Sequence, residues 1–219
     1  MSALSSAAIR SRLGEENLQD RLVIRPMLDE LAQIKDGQAS VDVRLGFEFC
    51  LVSASAHGSI SEFAGPGEGL ESFEALYQRQ YVPFGSYIVI HPHQFMLAQT
   101  LEYMRLPSDL MAYVVGRSTW GRLGLIVATA VGIHPGFAGS LTLELRNLGE
   151  TPLTLYPGQT IAQLFFHTVV DAKGNTSADF PQQAQYNGAV DMVPRQISSG
   201  TTKERLAKLI ERFEQRAKT

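Results

Sequence analysis

The residues best suited to chemistry cluster in one block, Gly116-Arg117-Ser118-Thr119-Trp120-Gly121-Arg122-Leu123-Gly124. Guanidinium and hydroxyl groups both donate hydrogen bonds to phosphate oxygens, so a glycine-bounded loop carrying two arginines and two hydroxyls suits a phosphate ester. It equally suits a plain surface loop with solvated arginines, and the block by itself leaves both readings open. Trp120 within it fits either contact with a ligand or packing at a subunit interface. A carboxylate, Glu144, lies in Leu141 to Arg146, where strict alternation puts Leu141, Leu143 and Leu145 on one strand face and Thr142, Glu144 and Arg146 on the other. Alternation alone makes Glu144 a solvent-facing residue. His91-Pro92-His93 has a spacing compatible with metal ligation, but histidines flanking a proline read first as a surface turn. The single cysteine, Cys50, lies among Phe47, Phe49, Leu51 and Val52 and reads as a buried structural thiol rather than a nucleophile.

Elements that would position these groups follow from the apolar pattern. Short apolar runs separated by Gly and Pro recur at 41–45, 47–52, 87–90, 95–98, 111–115, 141–145, 153–156 and 161–170, and predict a mostly antiparallel sandwich or barrel. A short amphipathic helix is expected over 4–13, on Leu4, Ala7, Ala8 and Leu13, and Arg25-Pro26 argues against helix at that point. The stretch 53–69, rich in Ser, Ala and Gly, reads as a surface loop, and the polar stretch 171–185 as an arm over a surface. Leu206, Leu209, Ile210 and Phe213 fall at helical spacing, with Thr201 and Glu204 spaced as a capping box, which predicts a C-terminal helix. Whether its stripe packs on its own subunit or a neighbour stays open. The resulting division is an N-terminal segment 1–38, a β domain 39–170, and an arm with helix 171–219.

With 219 residues, 44% of them hydrophobic, the chain can bury one sizeable core. Its net charge of −3 and lack of a basic run argue against tracking a nucleic-acid backbone, whereas a small phosphate ligand needs only a few placed donors. No apolar run approaches a signal peptide core or a membrane span, so a soluble, cytoplasmic protein with no membrane partner is expected.

Several blocks in order resemble one family. Ser40-Val41-Asp42-Val43-Arg44-Leu45-Gly46 resembles the early strand motif of dCTP deaminases, and 97–102 with Leu106-Pro107 and Leu110 the segment before their signature. Gly116 to Gly124 is similar to that signature, with Thr119 replacing its second Ser. The run from Thr129 to Gly139 resembles the nucleoside-binding hairpin shared across the dCTP deaminase and dUTPase superfamily, and Pro157 to Leu164 the glycine and Ala-Gln motif that follows. The resemblance implies a dUTPase-like, jelly-roll-like distorted barrel in a homotrimer, with active sites between neighbours.

It also implies roles. Glu144 is the expected general base, with Ser118 and Arg122 helping to hold the water and the carboxylate. Arg117 and Thr119 fall near the phosphates, the carbonyl of Ala130 orients the water, and Ile133, His134, Gln163 and Tyr186 complete the nucleotide contacts. Hydrolytic deamination needs this set: water adds to C4 of cytosine, N3 is protonated and ammonia leaves, so one carboxylate must accept a proton and return it. Zinc deaminases use a Pro-Cys-x-x-Cys pair, which one cysteine cannot supply, so Mg2+ carried by the triphosphate is the only metal expected.

Departures accompany the resemblance. His134 stands where both branches usually carry Asp, and a neutral imidazole is a poorer base toward an anionic phosphate. Gln185 stands where the arm usually has Lys, and the dUTPases' glycine-rich tail motif is missing. The leading expectation is deamination of dCTP to dUTP; a dUTP diphosphatase, a bifunctional enzyme yielding dUMP, and a non-catalytic nucleotide-binding regulator are the alternatives.

Overall fold

Residues 2–52, 77–128, 132–170 and 211 are described by the computed structural model. The chain divides into two compact units, Met1–Leu51 with Arg79–Met192 and Val52–Gln78 with Val193–Thr219, and the first carries the sheet. The expected loop at 53–69, the arm, Tyr186, Ala130 and nearly all of the C-terminal helix lie outside the described residues; within that helix Glu211 is helical and exposed.

The β-branched and leucine-rich runs form strands: β1 Val23–Arg25, β2 Val41–Val52, β3 Tyr77–Tyr81, β4 Ile88–Ile90, β5 Phe95–Arg105, β6 Leu110–Gly116, β7 Leu125–Val127, β8 Gly132–Ile133, β9 Ala138–Asn147, β10 Leu153–Leu155 and β11 Thr160–Thr168. The large sheet runs β7-β9-β5-β2-β11-β6-β8, with β1 on β5 and β3 on β2, while β10 and β4 form a separate ladder. The fold is mainly β and jelly-roll-like. Strand β2 makes the curl: it pairs with β11 through Val41 to Arg44 and with β5 through Leu45 to Leu51, with a register shift between Leu45 and Phe49. Such irregularities bend and twist a strand, so one strand serves both parts of the sheet.

That bend corrects the expected break between 45 and 47. Gly46 lies inside one continuous strand, where a Cβ would stand 3.0 Å from the carbonyl oxygen of Gln99, so the glycine permits a close approach rather than a turn. Leu141, Leu143 and Leu145 point inward as alternation predicts, joining Val41, Val43, Ile161, Leu164 and Phe166 in the core. Cys50 is buried in β2.

The N-terminal helix α1 spans Ser6–Leu13, because the Ser5 hydroxyl caps it by accepting from the Ala8 N–H at 3.3 Å. Leu4 precedes the cap and instead donates its N–H to Phe166. Leu4 and Leu13 of the expected stripe pack against the core, whereas Ala7 is exposed and the buried residues of the helix are Ser6 and Ile9. Arg25 ends β1 before Pro26, in keeping with the bar on helix there. A second short helix, α2 (Glu30–Gln33), follows, capped by Asp29, whose carboxylate accepts from the Ala32 N–H at 3.0 Å.

Candidate active site

The signature block is not a loop. Ser118–Arg122 form a short helix, α3, with Arg117 at its N-cap. Two contacts fix its orientation: the Trp120 indole N–H donates to the Thr160 carbonyl at 2.9 Å, and Gly124 turns the chain back with a φ of +89°. A side chain at Gly124 would place its Cβ 2.7 Å from the backbone nitrogen of Gly149, so this glycine is required both by conformation and by space. Asn147 shapes the opposing turn, accepting from the Gly149 N–H at 2.9 Å and donating to the carbonyls of Ile90 and Thr151. Trp120 therefore packs within its own chain, against the core.

Arg117, by contrast, points to β2. Its guanidinium donates to the carboxylate of Asp42. Gln163 lies directly opposite Asp42 in the β11–β2 register and opposite Val115 in the β11–β6 register, so the sheet itself brings the three strands' polar groups together. The Gln163 amide donates to the other Asp42 oxygen at 2.9 Å and approaches the Ser40 hydroxyl at 3.5 Å. In the sequence Asp42 stands out only as part of the Ser40 to Gly46 block. Its role was hidden because alternation does not say which polar strand residue finds a cation.

Ser118, Thr119 and Arg122 are exposed on α3, outside that bond network. Glu144 stands on β9, opposite Leu97 of β5, and its carbonyl accepts from the Ala128 N–H at 2.7 Å. The latter bond extends β7 to the start of the hairpin. The Glu144 residue is half-buried rather than solvent-facing, and burial pushes its carboxyl pKa up from the ordinary glutamate value. Ile133 buries its side chain in the core opposite Ala112, so any contact with a nucleotide falls to its backbone. His134 is exposed at the turn that follows, where its carbonyl accepts from the Phe137 N–H at 3.2 Å.

His91 and His93 flank a turn between β4 and β5, as expected, and His93 adopts a φ of +62°. Among the described residues no group of three or more His, Cys, Asp or Glu side chains is placed to hold a metal ion. No helix among them is long and apolar enough to cross a membrane.

A curled antiparallel sheet, with a carboxylate-anchored arginine at its signature helix and a half-buried glutamate on β9, defines a mainly β, jelly-roll-like protein. Residues 3–169 match the family model described as dCTP deaminase-like, and the chain belongs to that family. A relative from Methanobrevibacter smithii, named "dCTP deaminase, dUMP-forming", is 38% identical over 83% of this chain and 85% of its own. A relative from Natronomonas pharaonis, named "dCTP deaminase", is 41% identical over 74% of this chain and 78% of its own. The crystal structure of 2'-deoxycytidine 5'-triphosphate deaminase from Agrobacterium tumefaciens shares the fold with a TM-score of 0.56 at 24% identity, over 75% of this chain and 48% of that one.

Proposed function

We propose that this chain is an enzyme that deaminates dCTP hydrolytically. The observation that carries the reading is membership of a family whose relatives, matched over most of both chains, are named for that reaction. The half-buried Glu144 beside the hairpin supports it chemically: a carboxyl with a raised pKa is suited to taking a proton and giving it back near neutral pH. In this mechanism Glu144 accepts a proton from water as the oxygen bonds to C4, and passes it to N3. The proton of the new C4 hydroxyl then passes to the amino group, the C4–N bond breaks to release ammonia, and C4 is left as the carbonyl. Ser118 and Arg122 hold the water and the carboxylate, the Ala130 carbonyl aligns the water, and Arg117, Thr119, Gln163 and Tyr186 hold the nucleotide. His134 meets the sugar hydroxyl.

Mg2+ enters as the counter-ion of the triphosphate, which suits an ion bound chiefly by phosphates and water. The exposure of Ser118 and Arg122, with apolar Val115, Leu123 and Ile126 also exposed around α3, supports a homotrimer in which a neighbouring subunit completes each site. The expectation of dUTP as the end product gives way to a second reading. The Methanobrevibacter smithii relative and one from Methanosphaera stadtmanae, 38% and 36% identical, are named dUMP-forming, which favours loss of pyrophosphate after deamination.

Incubating the purified protein with dCTP and Mg2+ while measuring ammonia, pyrophosphate and nucleotide products tests both. Ammonia release with dUMP is the expected outcome; ammonia with dUTP alone removes the second reading. Binding of dCTP without ammonia release would establish the non-catalytic alternative.

A further inference from the structure

Asp42 gathers more positive charge than it can neutralise. Besides Arg117, the Lys35 ammonium lies 3.6 Å from the same Asp42 oxygen. Two cations thus share one carboxylate whose side chain is only 7% exposed, while Lys35 and Arg117 are 44% and 27% exposed. Asp36 and Glu30 both pair with Arg10, at 2.6 and 3.3 Å.

The backbone that presents Lys35 is anchored. Ile34 is fully buried, and the Gln33 amide donates to the Asp42 carbonyl and to Glu102, each at 3.1 Å. A lysine held by its neighbours, open to solvent and sharing one buried carboxylate with a guanidinium, is arranged for an anion with several oxygens. From this juxtaposition we infer that Lys35 is a triphosphate-binding residue, acting with Arg117 on the terminal phosphates of the substrate, and that Asp42 is the positioning residue holding both cations and Gln163. The inference rests on the proposed nucleotide site and assigns to it a cation from the N-terminal segment. In the sequence the arm presents Gln185 rather than a lysine, and Lys35 supplies a positive charge from elsewhere.

Steady-state kinetics on the full chain with Lys35→Gln and Lys35→Arg test it, with wild type assayed alongside on dCTP and dCMP. Lys35→Gln should raise KM for dCTP about tenfold, the order set by one charge-assisted hydrogen bond, with a much smaller change in kcat. Lys35→Arg should recover most of the loss, and discrimination between dCTP and dCMP should narrow in Lys35→Gln alone. A lysine that merely shields Asp42 would lower the melting temperature without a KM split or dependence on phosphate number, and that result overturns the inference. So does an unchanged KM for dCTP, which leaves the proposed deamination intact. Wild-type protein that neither binds nor converts dCTP defeats both together.

Discussion

Asp42 and Arg44 lie two residues apart on β2, on the same side of the strand, yet they anchor regions of opposite character. Arg44 is sealed. Its guanidinium donates to Glu102 at 2.6 Å, its backbone N–H donates to the same carboxylate at 2.9 Å, and the side chains of Arg44 and Glu102 are 11% and 0% exposed. Gln33 and the Pro26 carbonyl complete that cluster from the N-terminal segment, which closes over this part of the strand. Asp42 is itself buried, but its partners Arg117 and Lys35 reach solvent. A sealed pair cannot meet a ligand and serves the fold, whereas an open one keeps donors for a substrate at little cost to stability. The difference lies in what covers each residue, since both use ordinary carboxylate and guanidinium chemistry.

The largest effect should come from the proposed catalytic carboxylate, outside the sealed cluster. Glu144→Gln keeps the shape of the side chain and removes the proton acceptor, so ammonia release should fall about a hundredfold to ten-thousandfold while dCTP binding persists. Single-turnover rates and calorimetric binding check this, and wild-type ammonia release in the variant would dismiss Glu144 as the base. On the sealed side, Glu102→Ala should cost about 3–5 kcal/mol of folding stability by stranding the buried Arg44 charge, as read by urea unfolding. A change under about 1 kcal/mol, the range of exposed ion pairs, would erase the distinction between the two regions.

Next in size is the pH dependence of Glu144. Burial raises its folded pKa above the unfolded value, so the native state holds the proton over the window between them. Its contribution to stability is full below the unfolded pKa and is lost as pH rises through the folded one; Glu144→Gln should therefore gain stability relative to wild type as pH rises across that window. Activity has the opposite sign, because the base must be ionised. The acid limb of the kcat/KM profile should accordingly lie above the ordinary glutamate range. A limb at or below that range would contradict the role of burial.

The smallest expected effect belongs to His134, exposed at the hairpin turn. His134→Asp should leave deamination within a few-fold, roughly, since a carboxylate accepts the same sugar hydrogen bond, and should raise pyrophosphate release relative to ammonia. Equal ratios of the two products in variant and wild type would show that this position has no part in the phosphate step.

Much of this architecture was legible because period-two hydrophobicity is a local property: Leu141, Leu143 and Leu145, or Ile161, Leu164 and Phe166, announce inward faces without knowledge of their neighbours. The strands missed were those without such a pattern. Tyr77–Tyr81 is polar between its tyrosines, and Val23–Arg25, Leu125–Val127 and Gly132–Ile133 are too short to declare themselves and exist as strands through pairing with β5, β9 and β6. The helical turn at Ser118–Arg122 likewise has no local signature, for its direction depends on Trp120 reaching Thr160 and on Gly124 meeting Gly149.

The sequence by itself determined the family, the face of β9 that carries Glu144 and the order of the motif blocks, because each rests on residue identity and spacing along one stretch of chain. Only the tertiary structure decided that Glu144 is half-buried, that Arg117 is held by Asp42 rather than loose in solvent, and that Lys35 shares that carboxylate. Those facts are set by burial and by pairing between residues far apart in the chain. Asp42 and Gln163 are 121 positions apart and meet because β2 and β11 are neighbours in the sheet, a relation that no local pattern encodes.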